Sequence, residues 1–179
     1  MRDWLTYRLS DLLLFSPRTY YRMFELYHRE LWPGHVLVVV VVSLIVLALV
    51  RPNQHRDRIV AVGLALAWLW VGIAFHIQRY ASINWAASYF GALFIVEATL
   101  LAWVGVTRAP SSIEATSPSR NRLGAIAFLA AAVLTTIVGS FTDRSWSQVE
   151  VFGLTPDATA ITTMVLLAIA PVQRRRTVR

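Results

Sequence analysis

Long apolar blocks without charge alternate with short polar segments along most of this chain. The first block, Val36–Val50, contains a single polar residue, Ser43. About 20 apolar residues in a helix cross the hydrocarbon core of a membrane, where the backbone has no other hydrogen-bond partner. The pattern therefore predicts an all-α, polytopic membrane helical bundle of about five transmembrane helices, with spans at about 33–50, 59–77, 83–106, 123–141 and 156–171.

Polar and proline-bearing segments separate these blocks. Arg51-Pro52-Asn53 ends the first, and Thr155-Pro156 is typical of a capped helix start before the fifth. Only a few residues join the second and third spans, which indicates an antiparallel hairpin. The chain is thus divided into an amphipathic N-terminal arm (1–30), a transmembrane bundle (31–172) and a basic C-terminal tail (173–179).

The N-terminal arm contains one predicted amphipathic helix. Ser16-Pro17 is typical of a helix start, with serine at the N-cap and proline at the first helical position. The apolar positions then follow helical spacing at Tyr20, Phe24, Tyr27 and Leu31. Two interpretations remain open: the helix lies in the headgroup plane with its aromatic side down, or it docks on a partner protein.

Composition agrees with a membrane protein and excludes several kinds of site. Hydrophobic residues make up 56% of the 179, cysteine is absent, and all 17 basic residues are arginine. The lack of cysteine excludes disulfides, iron–sulfur clusters and thiolate zinc sites. The net charge of +7 fits arginines that meet anionic lipids, and we expect no nucleic-acid binding because no basic face or aromatic platform accompanies the charge.

The distribution of arginine predicts an orientation. With five spans, ten arginines fall on the side of the C-terminus and seven on the side of the N-terminus. The positive-inside rule then places the C-terminus in the cytoplasm. An arginine-only basic complement is typical of a GC-rich bacterial genome, so the expected location is the bacterial inner membrane.

Three intramembrane polar residues are candidates for chemistry. Glu97 lies near the middle of the third span, where a carboxylate is costly and is often functional. It could bind a proton or cation, or form an interhelical hydrogen bond with the hydroxyl of Ser43, Thr135, Thr136, Thr162 or Thr163. His76 and Asn84 lie at similar depth in the hairpin, where they could form a polar clasp. Alternatively, His76 is an axial ligand for haem or a pigment.

The other histidines and the seven tryptophans suggest interfaces. His28 and His35 flank Trp32-Pro33 and are interpreted as interfacial residues rather than ligands. Trp32 and Trp85 fall near predicted membrane surfaces, as an aromatic belt requires. Trp68, Trp70 and Trp103 lie deeper and could pack on partner helices or a pigment. Small residues favour close helix packing at Gly63, Ala67, Gly72, Ala86, Ala87 and Gly91.

Several short segments follow one another in a characteristic order. They are Leu31-Trp32-Pro33, Trp68-Leu69-Trp70-Val71-Gly72 with His76, Ile83-Asn84-Trp85-Ala86-Ala87, Phe90-Gly91-Ala92-Leu93-Phe94, and Phe152-Gly153-Leu154-Thr155. Together they resemble a bacterial family of small multi-pass membrane proteins of unknown function, loosely labelled permease-like. The chain departs from that family at Thr155-Pro156-Asp157, where members tend to have Pro-Cys-Pro, and members often have a further helix after the position of the last predicted span.

The sequence shows no catalytic motif, so we expect a protein that is not an enzyme and holds no cofactor. The favoured function is an accessory or structural subunit that packs on other integral membrane proteins of a respiratory or photosynthetic complex. One alternative is a small-solute or ion permease that uses Glu97. The other is a haem- or pigment-binding protein that uses His76.

Overall fold

The computed structural model describes residues 16–51, 54–107, 118–141 and 145–169, and within these ranges the regular structure is entirely helical. A π-helix, Val71–Ile77, continues α3, and two short 3₁₀ turns lie at Tyr80–Ser82 and Trp146–Gln148. The six α-helices are α1 Pro17–Leu31, α2 His35–Val50, α3 Arg56–Trp70, α4 Ala87–Thr107, α5 Pro118–Ser140 and α6 Pro156–Ile169.

Three helices are long and apolar enough to cross a membrane: α3 with its continuation (56–82), α4, and α5. The predicted first span corresponds to α2, which has 16 residues and meets α1 at a bend of 84°. The predicted fifth span corresponds to α6, an apolar helix of 14 residues. The predicted start of the third span at residue 83 is wrong, because residues 83–86 form a turn in which Asn84 Oδ1 accepts the Ala86 N–H at 3.0 Å.

Glycines bring α3 and α4 together as an antiparallel hairpin. A Cβ atom on Gly91 would lie 2.9 Å from the Gly72 carbonyl oxygen, and one on Gly72 would lie 3.0 Å from the Gly91 carbonyl oxygen. Near the other end of the hairpin, Gly105 lies directly against Ala61. The predicted hairpin and its close approach at Gly72 and Gly91 are therefore confirmed, and this contact lies within one chain.

The predicted N-terminal helix is α1, and its aromatic side faces the chain's own bundle. Ser16 Oγ accepts the Thr19 N–H at 3.2 Å, which confirms the predicted cap. Phe24 and Tyr27 are buried, and their rings lie 5.2 and 5.5 Å from the ring of Phe75 in the π-helix. The aromatic stripe therefore does not face the headgroup plane, because its apolar surface is already covered by protein.

Two buried clusters form the core. The first joins α2, α3, α5 and α6 around Ile45, Leu64 and Phe128, with Phe152 from the segment before α6. The second joins α1 to the π-helix and includes Leu154. One short segment, 152–154, thus contributes to both clusters and connects them.

We expect Gly91→Leu to prevent close packing of α3 and α4, because the new side chain would overlap the Gly72 carbonyl. Overpacking of this kind costs roughly 1–3 kcal/mol of unfolding free energy. The measurement is thermal unfolding in an uncharged detergent. Ala92→Leu is the control, because Ala92 is exposed on the same helix, and equal loss in the two variants would contradict the prediction.

Candidate functional site

The most unusual feature of the bundle is a buried, non-helical segment, residues 149–155. Val149 lies beside Gly139, near the end of α5, whereas the ring of Phe152 packs 5.1 Å from that of Phe128, eleven residues earlier in the same helix. The segment therefore enters the space between the helices, and the ring of Phe152 reaches toward the middle of the bundle. Helix α6 begins directly after the segment, at Pro156, where Asp157 and Ala158 line one pocket with Leu134 and Val138 of α5.

Two threonine hydroxyl groups satisfy the backbone of this buried segment, one from Thr155 at its end and one from Thr159 of α6. Thr155 Oγ1 accepts the Val151 N–H at 2.9 Å, and Thr159 Oγ1 accepts the Gly153 N–H at 2.8 Å. Gly153 has a φ of 79°, in the left-handed region that favours glycine. Because buried N–H groups without a partner cost free energy, these hydroxyls allow a non-helical backbone to lie inside the bundle.

Helix α1 provides a further hydrogen bond to the backbone of the same segment. The Tyr27 hydroxyl donates to the Leu154 carbonyl at 3.1 Å and accepts the Trp70 Nε1–H at 3.2 Å. Burial raises the pKa of Tyr27 to about 12, which keeps the hydroxyl proton available as a donor. Tyr27 therefore joins α1, α3 and the buried segment at one point.

Two histidines extend this network to the start of α2. His28 Nε2 lies 3.1 Å from the Val149 carbonyl oxygen, and His28 Nδ1 lies 3.0 Å from His35 Nε2. A carbonyl can only accept, so we assign the proton of neutral His28 to Nε2 and a donated proton to His35 Nε2. His35 Nδ1 is buried and has no hydrogen-bond partner among the described residues.

From the sequence, these two histidines are predicted only to be interfacial. The signal that could have revealed the pair is their placement on both sides of Trp32-Pro33, since a bend at that proline brings the last turn of α1 beside the first turn of α2. Burial is the main cause that lowers the pKa of His28, and the neighbouring His35 acts in the same direction.

The structure separates His76 from Asn84. His76 lies in the π-helix, is 5% exposed, and has neither ring nitrogen bonded to a described residue. Its ring packs against that of Phe94 at 4.8 Å. The predicted clasp between His76 and Asn84 is not formed, because Asn84 Nδ2 donates to the Tyr80 hydroxyl at 3.2 Å instead. π-Helices of this kind are frequent at functional sites.

Glu97 lies on the flank of α4, beside the buried stripe that includes Gly91 and Ala98, and its side chain is partly exposed. No hydrogen bond or ion pair joins it to any described residue, so the predicted bonds to hydroxyl groups are not formed. Thr163, one of those candidates, accepts the Trp68 Nε1–H at 3.0 Å and donates to the Thr159 carbonyl. Thr135 and Thr136 donate to carbonyls of their own helix.

The predicted interface tryptophans occupy different environments. Trp32, Trp85 and Trp103 are each about 70% exposed. Trp68 is partly buried, and its ring lies 4.4 Å from that of Phe94. Trp70 is partly exposed and lines an apolar cavity of about 280 Å³ between α2, α3 and the buried segment.

Charge differs between the two ends of the bundle. We call one the arginine-rich end; it carries Asp57 and five arginines at Arg51, Arg56, Arg58, Arg120 and Arg122. We call the opposite end the mixed-charge end. Its described residues include equal numbers of arginines and carboxylates, namely Arg18, Arg22, Arg29, Arg79, Glu25, Glu30, Glu150 and Asp157. Across the described residues, no three metal-ligating side chains come together as a metal site requires.

We expect Thr159→Val to destabilise the protein, since it removes the acceptor of the Gly153 N–H inside the bundle. The loss of unfolding free energy should be about 1–3 kcal/mol. Thr162→Val is a matched control, because Thr162 is buried in the same helix and its hydroxyl bonds to no described residue. Denaturant unfolding in mixed micelles measures both variants, and equal effects would count against the role of Thr159.

Acid should destabilise the region around His28. Burial lowers the pKa of folded His28, whereas the unfolded chain binds a proton near the ordinary histidine pKa of about 6.5. The unfolded state therefore gains more protons, and the unfolding free energy falls as pH decreases below about 6.5. Melting temperatures between about pH 8 and pH 5 should fall less steeply in His28→Gln, which can still donate to Val149; parallel slopes would refute this.

Comparison with known proteins identifies a family but no function. A model described as "Family of unknown function (DUF6064)" matches residues 18–178. The match covers nearly the whole chain, so the chain belongs to this family, in agreement with the unknown function that the sequence resemblance implied. No curated protein and no solved structure matches the chain.

Proposed function

We propose that this member of a family of unknown function is a multi-pass protein of the bacterial inner membrane. In our proposal it is a non-catalytic accessory subunit that packs against another integral membrane protein through helix α4. The observation that carries the proposal is the outward face of α4, which is apolar, almost uncovered by the chain itself, and carries the carboxyl group of Glu97.

The membrane setting is supported by the outer surface of the bundle. Each helix from α2 to α6 exposes several large aliphatic or aromatic side chains. Extended apolar surfaces of this kind mark contact with a membrane or another protein. The three helices of spanning length and the exposed tryptophans near helix ends are consistent with the same setting.

The charge difference between the ends supports an orientation. In the part of the chain that the structure describes, the arginine-rich end has five arginines and one carboxylate, whereas the charges of the mixed-charge end balance. By the positive-inside rule, the arginine-rich end faces the cytoplasm. Helix α6 runs toward that end, so the C-terminus is cytoplasmic in this proposal.

Helix α4 is the most exposed of the three long helices. Only 17% of its most apolar window is buried, compared with 44% for α3 and its continuation. Its buried side is a narrow stripe of small residues that contacts α3. The opposite side presents an exposed aromatic and aliphatic face, formed by Tyr89, Phe90, Leu93, Val96, Leu100 and Trp103.

The carboxyl group of Glu97 makes this apolar face specific for a partner that can pair with a carboxyl group. A carboxyl group near the middle of a transmembrane helix is costly unless it is paired or hydrogen-bonded. Among the described residues it has no such partner, so in the membrane a partner from outside the described bundle satisfies it. A hydrogen-bond donor or a basic side chain at the same depth of a neighbouring subunit's helix would supply that partner.

We expect Glu97→Leu to weaken association with the larger complex. Interhelical hydrogen bonds in membranes contribute about 1–2 kcal/mol, which corresponds to roughly tenfold in affinity. The measurement is co-migration of the tagged protein with the complex after gentle detergent extraction. Thr99→Val is the control, because Thr99 is exposed on the opposite flank of α4 and bonds only within its own helix.

Glu97→Gln separates hydrogen bonding from charge. It should retain co-migration if the partner only donates a hydrogen bond, and lose it if the partner is a basic side chain. Migration of the wild-type protein as a lone species under the same conditions would reject the accessory-subunit proposal.

Two measurements distinguish the two alternative functions from the accessory subunit. A permease would give solute or ion flux in vesicles that is lost in Glu97→Gln. A haem or pigment protein would show a visible absorption band that is lost in His76→Ala. The ring nitrogens of His76 bond to no described residue, which favours the haem or pigment protein over the permease. The His76 ring is enclosed by aromatic side chains, which a bound macrocycle would have to displace.

A further inference from the structure

A second cavity, of about 160 Å³, lies at the arginine-rich end of the bundle. It opens between helices α2 to α6, away from the buried segment, and Leu101 and Val104 line it from the flank of α4 that carries Glu97. Its walls are apolar and are formed by Leu49, Val60, Leu64, Leu101, Val104, Leu166 and Leu167. Its mouth is polar and contains Arg56, Asp57, Arg120 and Asn121.

Arg56 is fixed at the mouth by two neighbours. Its side chain belongs to the first residue of α3, and Arg56 is 9% exposed. Nε donates to Asp57 Oδ1 and Nη1 donates to Asn121 Oδ1, both at 2.8 Å. A guanidinium group has five N–H donors, so this arrangement orients the charge and leaves donors for a further acceptor.

We propose that this cavity is a binding site for one anionic phospholipid. The phosphate group binds at Arg56 and Arg120, and the first part of an acyl chain enters the apolar cavity between the helices. The proposal rests on the membrane setting proposed above, because only there is a lipid available at this depth.

Charge selects this occupant. Among the described residues, the five arginines of this end are opposed by a single carboxylate, Asp57. A zwitterionic lipid would bring a cationic group into this field, whereas an anionic headgroup gains from it. Arginine also binds phosphate oxygens through two parallel donors, which gives the contact geometric specificity.

The shape of the cavity supports the same occupant. An α-helix with its side chains is about 10 Å wide, so a cavity of about 160 Å³ is too small for a peptide helix. A free phosphate ion would fill the mouth and leave the apolar walls uncovered. An acyl chain joined to a phosphate covers both regions.

The binding experiment uses the full protein, purified and depleted of lipid in an uncharged detergent. Native mass spectrometry is used to titrate it with phosphatidylglycerol and with phosphatidylcholine of identical acyl chains. We expect at least fivefold tighter binding of phosphatidylglycerol, since each nearby arginine contributes about this factor. Equal affinity for the two lipids would overturn the proposal.

Variants separate the headgroup contact from the acyl contact. Arg120→Gln and Arg56→Gln should each weaken phosphatidylglycerol binding about fivefold. Arg18→Gln, at the mixed-charge end, is the matched control and should leave affinity unchanged. If Arg56→Gln fails to fold, Arg120→Gln and the cavity variant below still decide the outcome.

Gly124→Leu tests the acyl contact without a change in charge. Gly124 lines the cavity, and a Cβ atom there would meet only Leu166, at 3.9 Å, so the backbone accommodates a side chain that fills the space. We expect it to weaken the binding of both lipids at least fivefold. Unchanged binding would remove the cavity from the proposal, and displacement of the lipid by millimolar inorganic phosphate would identify a phosphate site alone.

A separate measurement tests the membrane setting. Cells that express the protein are fractionated, and the membranes are washed with alkaline carbonate. Protein that stays in the washed membranes but shows no lipid preference refutes the lipid site and leaves the membrane proposal intact. Protein released by the wash refutes the membrane setting itself.

Discussion

The fold depends on hydrogen bonds that satisfy a non-helical backbone inside a helical bundle. In apolar surroundings, backbone N–H and C=O groups need partners from the protein itself. A continuous helix provides them automatically, whereas residues 149–155 cannot. Their partners are side chains: Thr155 at the end of the segment, Thr159 of α6, and Tyr27 and His28 of α1.

This requirement explains why α1 lies where it does. Its aromatic face covers the π-helix, and its two polar side chains, Tyr27 and His28, bond to the buried segment. His28 also contacts His35, so the bend between α1 and α2 is part of the same network. A helix that by its sequence alone could lie on a membrane is instead an integral part of the bundle.

The backbone groups of the buried segment thus have hydrogen-bond partners within the chain. The polar groups that are available to contact another molecule lie at the periphery of the bundle. Glu97 on the outer flank of α4 and Arg56 at the arginine-rich end both combine a polar group with apolar surroundings. The carboxyl group has no partner among the described residues, and the guanidinium keeps donors available. Both arrangements are suited to recognition of another molecule rather than to bond-making chemistry.

The sequence by itself determined the helical class, the approximate helix positions, the capped start at Ser16, the helix start at Pro156, and the α3–α4 hairpin. These follow from local rules: apolar length, capping residues, proline and small-residue spacing. Only the tertiary structure decided that His28 meets His35, that Asn84 bonds Tyr80 instead of His76, and that residues 149–155 lie inside the bundle. The hydrogen bonds of residues 149–155 join positions up to 127 residues apart, and they depend on how the helices pack, which no local pattern in the chain encodes.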